Sequence, residues 1–435
     1  MAERIGLTGL YVLALSALLF PAPANLGLLA MVLATIARGR DFLQWLRQAP
    51  AAWLAFGFTA YVLLRGAAEI AVGGLAPAEA WKPITGWALL GMAPIVAYWC
   101  GGREDRCRML FALCLVGMLV QALRSMDAAA LDRISSLHRE HFGLRLLGAP
   151  LYASIALLGL AIFRRRIFWW IGQFRARSWR FAIYVTLVLV FAYLLLMFIL
   201  PQSRSSWVAA LIAFPVAGFG LLLSHRNRSR RQILSRIAIA TAAVLLIGAA
   251  LAPFLGHMVV KRIGSESATW EAIMEGRWEE APYTSIGRRV HMTANGISWF
   301  AEDPVFGIGP GGVESRLKAL DQLSIHEDLH NSYLDLAVEM GLVGAMLLLG
   351  FLLWSYWTLL RTFAVGCVSA DMFWFLTGSL VIYLLVATMN TRLVNVDGQF
   401  SWLLLTGIVL SLSQWGDRNR IADSQEELAA FTHSR

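Results

Sequence analysis

Charge is scarce in this 435-residue chain: 15% of residues are Asp, Glu, Lys or Arg, against 58% hydrophobic, with a mean hydropathy of +0.61. Soluble domains carry about a quarter charged residues, so a chain this poor in charge cannot clothe the surface of two or three soluble domains. Cysteine is scarce too. Cys100, Cys107, Cys114 and Cys367 form no CxxC pair and fall in or beside apolar runs, which excludes a disulfide framework and a thiolate metal site. No repeat of solenoid period and no low-complexity tract is present. The net charge of +9 does not point to nucleic acid, because no basic, aromatic-studded soluble domain carries it.

What the chain has instead is a succession of long apolar runs separated by Arg-rich or Gly/Pro-rich breaks. In a bilayer every backbone polar group must find its partner within the segment, so these runs read as helices of an all-α polytopic membrane protein. About twelve spans are expected, near 5–20, 25–37, 51–64, 84–100, 108–123, 147–163, 181–200, 205–223, 237–256, 333–360, 372–388 and 399–414. Several are short for a full crossing and require tilt, breaks or help from flanking residues. The start, with Arg4, an apolar run to Phe20 and then Ala22-Pro23-Ala24, has the look of a cleavable signal peptide but is read as the first membrane helix. The organisation expected is helices one to nine over 1–256, a loop domain of short helices over 257–332, helices ten to twelve over 333–416 and a tail over 417–435.

Orientation follows from the basic residues. One alternate set of loops holds 22 of the 37 Lys and Arg and nine of the 28 acids, so the positive-inside rule puts that set, with both termini, in the cytoplasm. The runs near 164–180 and 226–236 need no partner beyond anionic membrane lipid. On the opposite side lie the polar loop 124–146, the hinge Pro201-Gln202-Ser203-Arg204-Ser205-Ser206 and the long insertion from 257 to 330. Within the insertion, Trp270, Ile273, Met274 and Trp278 make an apolar stripe, expected to pack on the bundle rather than lie on the outer leaflet. A second helix is expected from about Ile286 to Glu302, with Val290, Ala294, Ile297 and Ala301 on one face, stopped by Pro304. Pro304-Val305-Phe306-Gly307-Ile308-Gly309-Pro310-Gly311-Gly312 is too rich in Gly and Pro to be regular.

His330 stands where the insertion meets the next apolar run. Asn331 or Ser332 can cap the helix that starts there, and Ser332-x-x-Asp335 has capping-box spacing. The positive end of that helix should favour the neutral imidazole. Alone, such a histidine is ordinarily a loop residue touching headgroups. Company comes from Arg204, a guanidinium at the start of a membrane helix, and from Arg288 and Arg289, which open the second loop helix. Each has a bland reading as an interfacial or surface charge. The loop count nevertheless puts all four on one side of the membrane. Arginine forks and a neutral base suit a phosphate-bearing substrate: the forks bind phosphate oxygens, and the imidazole takes a proton from an attacking hydroxyl, worth about 10²–10⁴ in rate. His326-Glu327-Asp328-Leu329-His330 also matches H-E-x-x-H, a zinc-protease signature. That reading needs one helix across both histidines, whereas the helix is expected to begin just after them, so no metal site is assigned.

Three pieces of the sequence together resemble the O-antigen ligase and polymerase family of bacterial envelope assembly. They are Ser203-Arg204-Ser205, then Ser285-Ile286-Gly287-Arg288-Arg289 followed by Pro304 to Gly311, and last His330-Asn331 followed by Gly341-Leu342-Val343-Gly344. The last is similar to the signature of lipopolysaccharide O-antigen ligases. The resemblance implies a membrane-embedded, C-type (GT-C) glycosyltransferase of the bacterial inner membrane that inverts its sugar and needs no metal or other cofactor. Such an enzyme moves a glycan from undecaprenyl diphosphate to a hydroxyl of lipid A–core on the periplasmic face. It implies diphosphate binding by Arg204 and Arg289, with Arg288 as the competing neighbour, and action of His330 on the acceptor hydroxyl. Gly341 and Gly344 are expected to permit close helix packing rather than touch substrate.

The nearest rivals, an O-antigen polymerase or a protein O-oligosaccharyltransferase, share the donor and differ in acceptor. A secondary transporter would also explain twelve spans, but transporters tend to show two related halves, and here one large insertion follows the ninth span with no visible symmetry. An intramembrane zinc protease rests on the five residues 326–330 alone.

Overall fold

A computed structural model describes residues 1–73, 77–136, 140–144, 148–224 and 267–433, with side chains through residue 414. The span expected at 237–256, the start of the insertion and the basic run 226–236 lie outside the described residues. Within them the chain is helical throughout. Helices α1 (Ala2–Ser16) and α2 (Pro21–Ala37) form a hairpin, followed by α3 (Gly39–Arg47) and α4 (Pro50–Ala71). Next come α5 (Pro77–Leu90), α6 (Ala93–Cys100), α7 (Glu104–Arg124), α8 (Ala128–Ser135), α9 (Gly148–Gly172), α10 (Arg177–Ile199) and α11 (Arg204–Ser224). The insertion contributes α12 (Ser267–Met274), a 3-10 turn at Trp278–Glu280, α13 (Ser285–Glu302) and α14 (Gly312–Lys318). The chain closes with α15 (Ser332–Ala364), α16 (Ala370–Ala387) and α17 (Val396–His433).

Among the described residues, eight segments are long and apolar enough to cross a membrane: Pro50–Ala71, Ala80–Cys100, Glu104–Arg124, Arg177–Ile199, Arg204–Ser224, Ser332–Ala364, Ala370–Ala387 and Val396–Gln414. The runs expected at 5–20 and 25–37 do form helices, α1 and α2, but of 15 and 17 residues. These two pack tightly because glycines face each other: a Cβ on Gly9 would stand 2.6 Å from the Gly27 carbonyl oxygen. The core is built where α15 meets α4 and α17, α17 meets α6, and α16 meets α9 and α11.

The break in α15 places the insertion. Gly341 has φ 61° and ψ −170°, a conformation essentially confined to glycine, and it interrupts the helix. The freed backbone groups pair with the Pro/Gly-rich turn: Ile308 N–H donates to the Val338 carbonyl (2.9 Å), Gly309 to Glu339 (3.0 Å), Leu342 to Pro304 (2.9 Å) and Val343 to Val305 (3.1 Å). Helix α4 braces the same junction. Tyr61 Oη reaches the carbonyls of Phe306 and Met340, and Arg65 donates to the Gly307 carbonyl at 2.6 Å. The Glu339 carboxylate accepts from Trp87 Nε1 (2.5 Å) and from Val313 N–H (3.2 Å), tying the start of α14 to α5.

Two expectations for the insertion change. Ile273 of the expected stripe is half-buried, but Trp270, Met274 and Trp278 lie outward. These residues are 47%, 85% and 42% exposed, and α12 buries Thr269 and Ala272 instead. The second helix has the expected bounds to within a residue, but it buries Gly287, His291, Met292, Gly296 and Trp299, leaving Ile297 and Ala301 outward. Glycines let α13 approach its neighbours, so the closest-packed face is not the most apolar one. A Cβ at Gly296 would meet Leu329 and Leu334 at under 3 Å.

Candidate active site

His330 lies outside any helix, on a turn with φ 55°. Asp328 holds it there. One carboxylate oxygen, Oδ1, accepts the His330 backbone N–H at 2.9 Å and faces ring Nδ1 at 2.6 Å. A carboxylate can only accept at that distance, so Nδ1 carries a proton, and in the neutral ring the lone pair sits on Nε2. Burial alone would raise the Asp328 carboxyl, but the hydrogen bonds and charge of His330 outweigh it and keep Asp328 below the usual carboxylate range.

The cap is Asn331, whose side-chain oxygen accepts from the N–H groups of Tyr333 (3.1 Å) and Leu334 (3.3 Å). Ser332 makes no capping box. It is fully buried and donates to the Asn390 carbonyl at 2.8 Å, while Asp335 reaches back to the Leu329 N–H at 3.0 Å. His326 stacks edge-on against His330, ring centroids 5.3 Å apart. Burial first, then the charges of His330 and Arg288, lower the His326 pKa and favour its neutral form. Residues 326–330 form turns, not a helix, so the H-E-x-x-H pattern lacks the helical face that the zinc-protease reading requires.

Arg204 is exposed at the first position of α11, two residues after Gln202, another non-glycine residue at positive φ (56°). Ser203, Ser205 and Ser206 cluster there through their hydroxyls, at 3.2 and 3.0 Å from Ser203. Asn390 Nδ2 donates to Ser205 Oγ at 3.1 Å. The same Asn390 accepts from Ser332, so the start of α11 and the start of α15 are tied to one residue in the α16–α17 link. Arg288 and Arg289, adjacent on α13, part company. Arg288 is close enough for its charge to act on His326, and its Nε lies 3.4 Å from the Thr284 carbonyl. Arg289 lines an apolar groove of about 550 Å³ with Trp278, Val290, Ala294 and Ile297.

Two cations escaped the sequence reading. Arg392, in the α16–α17 link, is 3% exposed, pairs with Asp397 at 3.2 Å, and its charge reaches Asp328. Burial alone would lower its pKa, yet Asp397 and its other neighbours raise it. Arg392 Nε and Asp397 Oδ1 are buried without a hydrogen-bond partner among the described residues. Buried polar atoms left so are uncommon and mark functional clusters. The signal was an arginine between two apolar runs. Arg65 was also missed, and it serves the α4 brace.

Arginines, a base of fixed tautomer and an exposed apolar face on the insertion are suited to an anionic, lipid-linked substrate and proton transfer. No curated protein matches the chain. Residues 189–349 match the family described as O-antigen ligase, a segment that runs from α10 into α15 and contains Arg204, Arg288, Arg289 and His330. Over that segment, a little more than a third of the chain, the sequence is similar to O-antigen ligases, and the family points to glycosyl transfer in a membrane protein.

Proposed function

We propose that the chain is an inverting, metal-independent glycosyltransferase that moves O-antigen polysaccharide from undecaprenyl diphosphate to a sugar hydroxyl of lipid A–core on the periplasmic face of the inner membrane. The observation that carries this reading is the link Ser205–Asn390–Ser332, which ties the helix start bearing Arg204 to the one preceded by His330. In this reading the acceptor hydroxyl attacks the anomeric carbon, the bond to the diphosphate oxygen breaks, and the hydroxyl proton passes to His330 Nε2. Asp328 steadies the imidazolium so formed. Arg204, with Arg288 and Arg289 on α13, meets the negative charge that grows on the departing diphosphate. The exposed stripe of Trp270, Met274 and Trp278 supports a loop domain that rests on the outer leaflet, beside both lipid-linked substrates.

The test is reconstitution: purified protein, undecaprenyl-diphosphate glycan and lipid A–core, with the lipid product followed on gels. Wild type should extend lipid A–core, and His330→Ala should not, at equal folded protein. Extension of the lipid-linked glycan itself, with lipid A–core untouched, would make the protein a polymerase and overturn the acceptor assignment.

A further inference from the structure

Away from the site, a cavity of about 650 Å³ runs between α7, α9, α16 and α17. Along α9 it extends from Tyr152 to Trp170, 18 residues and so about 27 Å at 1.5 Å per residue. It is partly open along its length, and its narrow apolar form suits a hydrocarbon chain. The lining agrees: Met109, Leu115, Ala156, Leu160 and Phe375 make the wall.

The two ends differ. Toward the candidate active site the shaft is closed by Tyr152 and Tyr383, 5% and 0% exposed, whose hydroxyls are taken up by Asp397 (3.1 Å) and the Gly398 carbonyl (2.9 Å). At the far end stand Asp105, Arg108 and Arg166 with Trp169 and Trp170, the tryptophans 67% and 53% exposed. There Asp105 is paired with Arg103 and Arg108 with Glu104, while Arg166 is exposed and makes no ion pair among the described residues. Arg164 and Arg165 adjoin it. This end is thus an aromatic-rimmed mouth with an uncompensated positive charge, on the side where arginine is concentrated.

We propose that the shaft is a lipid-binding site, occupied by one acyl chain of an anionic phospholipid that enters at Trp169 and Trp170 and sets its phosphate on Arg166. A polyprenyl tail threaded from the active-site end is the competing occupant, and the tyrosine plug stands against it. The bound chain fills the seam between α9 and α16, stabilising the helices that lead into the Asn390–Arg392 link.

The experiment uses the full chain in nanodiscs of phosphatidylcholine with a minority of phosphatidylglycerol carrying a diazirine in its acyl chain. After irradiation, crosslinks should map to Met109, Ala156, Leu160 and Phe375. Native mass spectrometry should retain one phosphatidylglycerol per chain in preference to phosphatidylcholine. Arg166→Gln should weaken retention about fivefold, the factor for one basic residue at an anionic surface. Ala156→Phe, which fills the bore, should abolish the interior crosslinks; if that variant unfolds, the Arg166→Gln result stands alone. Crosslinks spread over the outward face of α10, equal retention of both lipids, or displacement of the probe by undecaprenyl diphosphate would each overturn the proposal.

Discussion

Replacing Asp328 tests whether His330 works as an oriented base. Oδ1 of Asp328 accepts both the backbone N–H and Nδ1–H of His330, so it sets the turn and the ring together. A hydrogen bond to a charged group contributes about 1.5–3 kcal/mol and a neutral one about 0.5–1.5. Asp328→Asn keeps an acceptor of the same shape and loses about 1–1.5 kcal/mol, which is about tenfold in rate if the loss falls on the transition state. Asp328→Ala also frees the ring to turn, and misplacement on the scale of an ångström costs up to about 10². The floor is His330→Ala, expected about 10²–10⁴ below wild type. Initial rates of lipid A–core extension at varied donor concentration would separate the effects: kcat should fall in the order Asn, Ala, His330→Ala, with KM for the donor little changed. Wild-type turnover in Asp328→Ala, or a loss confined to donor KM, would refute the orienting role.

Arg204→Lys should raise donor KM and lower kcat, since an ammonium lacks the planar fork; product formation against donor concentration checks it. Arg288→Gln should cut turnover more than Arg289→Gln, because Arg288 is the one whose charge reaches His326; the reverse order would return the main role to Arg289. Gly341→Ala should lower thermal stability by about 1–3 kcal/mol or more, because alanine is strained at that φ and ψ and its Cβ would stand 2.3 Å from the Val305 carbonyl oxygen. His326 has a lowered pKa in the folded chain, so its unfolded form takes up protons first. Its stabilising contribution is complete above about pH 6.5 and is lost as pH falls below that toward the lower folded value. Melting curves of wild type against His326→Gln should therefore converge on acidification. Transfer should also survive exhaustive chelation, and activity restored only by zinc would revive the rejected metal reading.

How much of this was legible in the sequence differs from element to element. Apolar length revealed the helices, because a bilayer demands long uninterrupted runs. Pro304 gave the end of α13. The buried face of α13 was not legible, since glycines chosen for close approach carry no hydropathy signal. The bundle packing expected of Trp270, Met274 and Trp278 failed for a related reason: an amphipathic stripe has the same pattern whether it meets protein or lipid. Arg392 and Asp328 were read past, because an ion pair spanning the α16–α17 link and a side chain folded back two residues leave no periodic trace.

The two separate glycine motifs belong to one piece of structure. Gly341 breaks α15 just past His330, and the turn from Pro304 to Gly309 supplies the backbone partners that the break releases. Each half is unsatisfied without the other: an open helix in a membrane costs several kcal/mol per orphaned group, and a Gly/Pro turn at that depth is tolerated only against protein. Their pairing ties the turn that follows α13 to the break in α15. Asn390 does the same for Arg204 from the other direction, bonding Ser205 with its side chain and Ser332 with its carbonyl. Asp328 holds the positive φ of His330, and the Ser203 cluster with Asn390 braces the helix start that follows Gln202. On the proposed function, two strained backbone positions beside helix starts tied to one asparagine hold the phosphate-binding arginine and the proton acceptor in register.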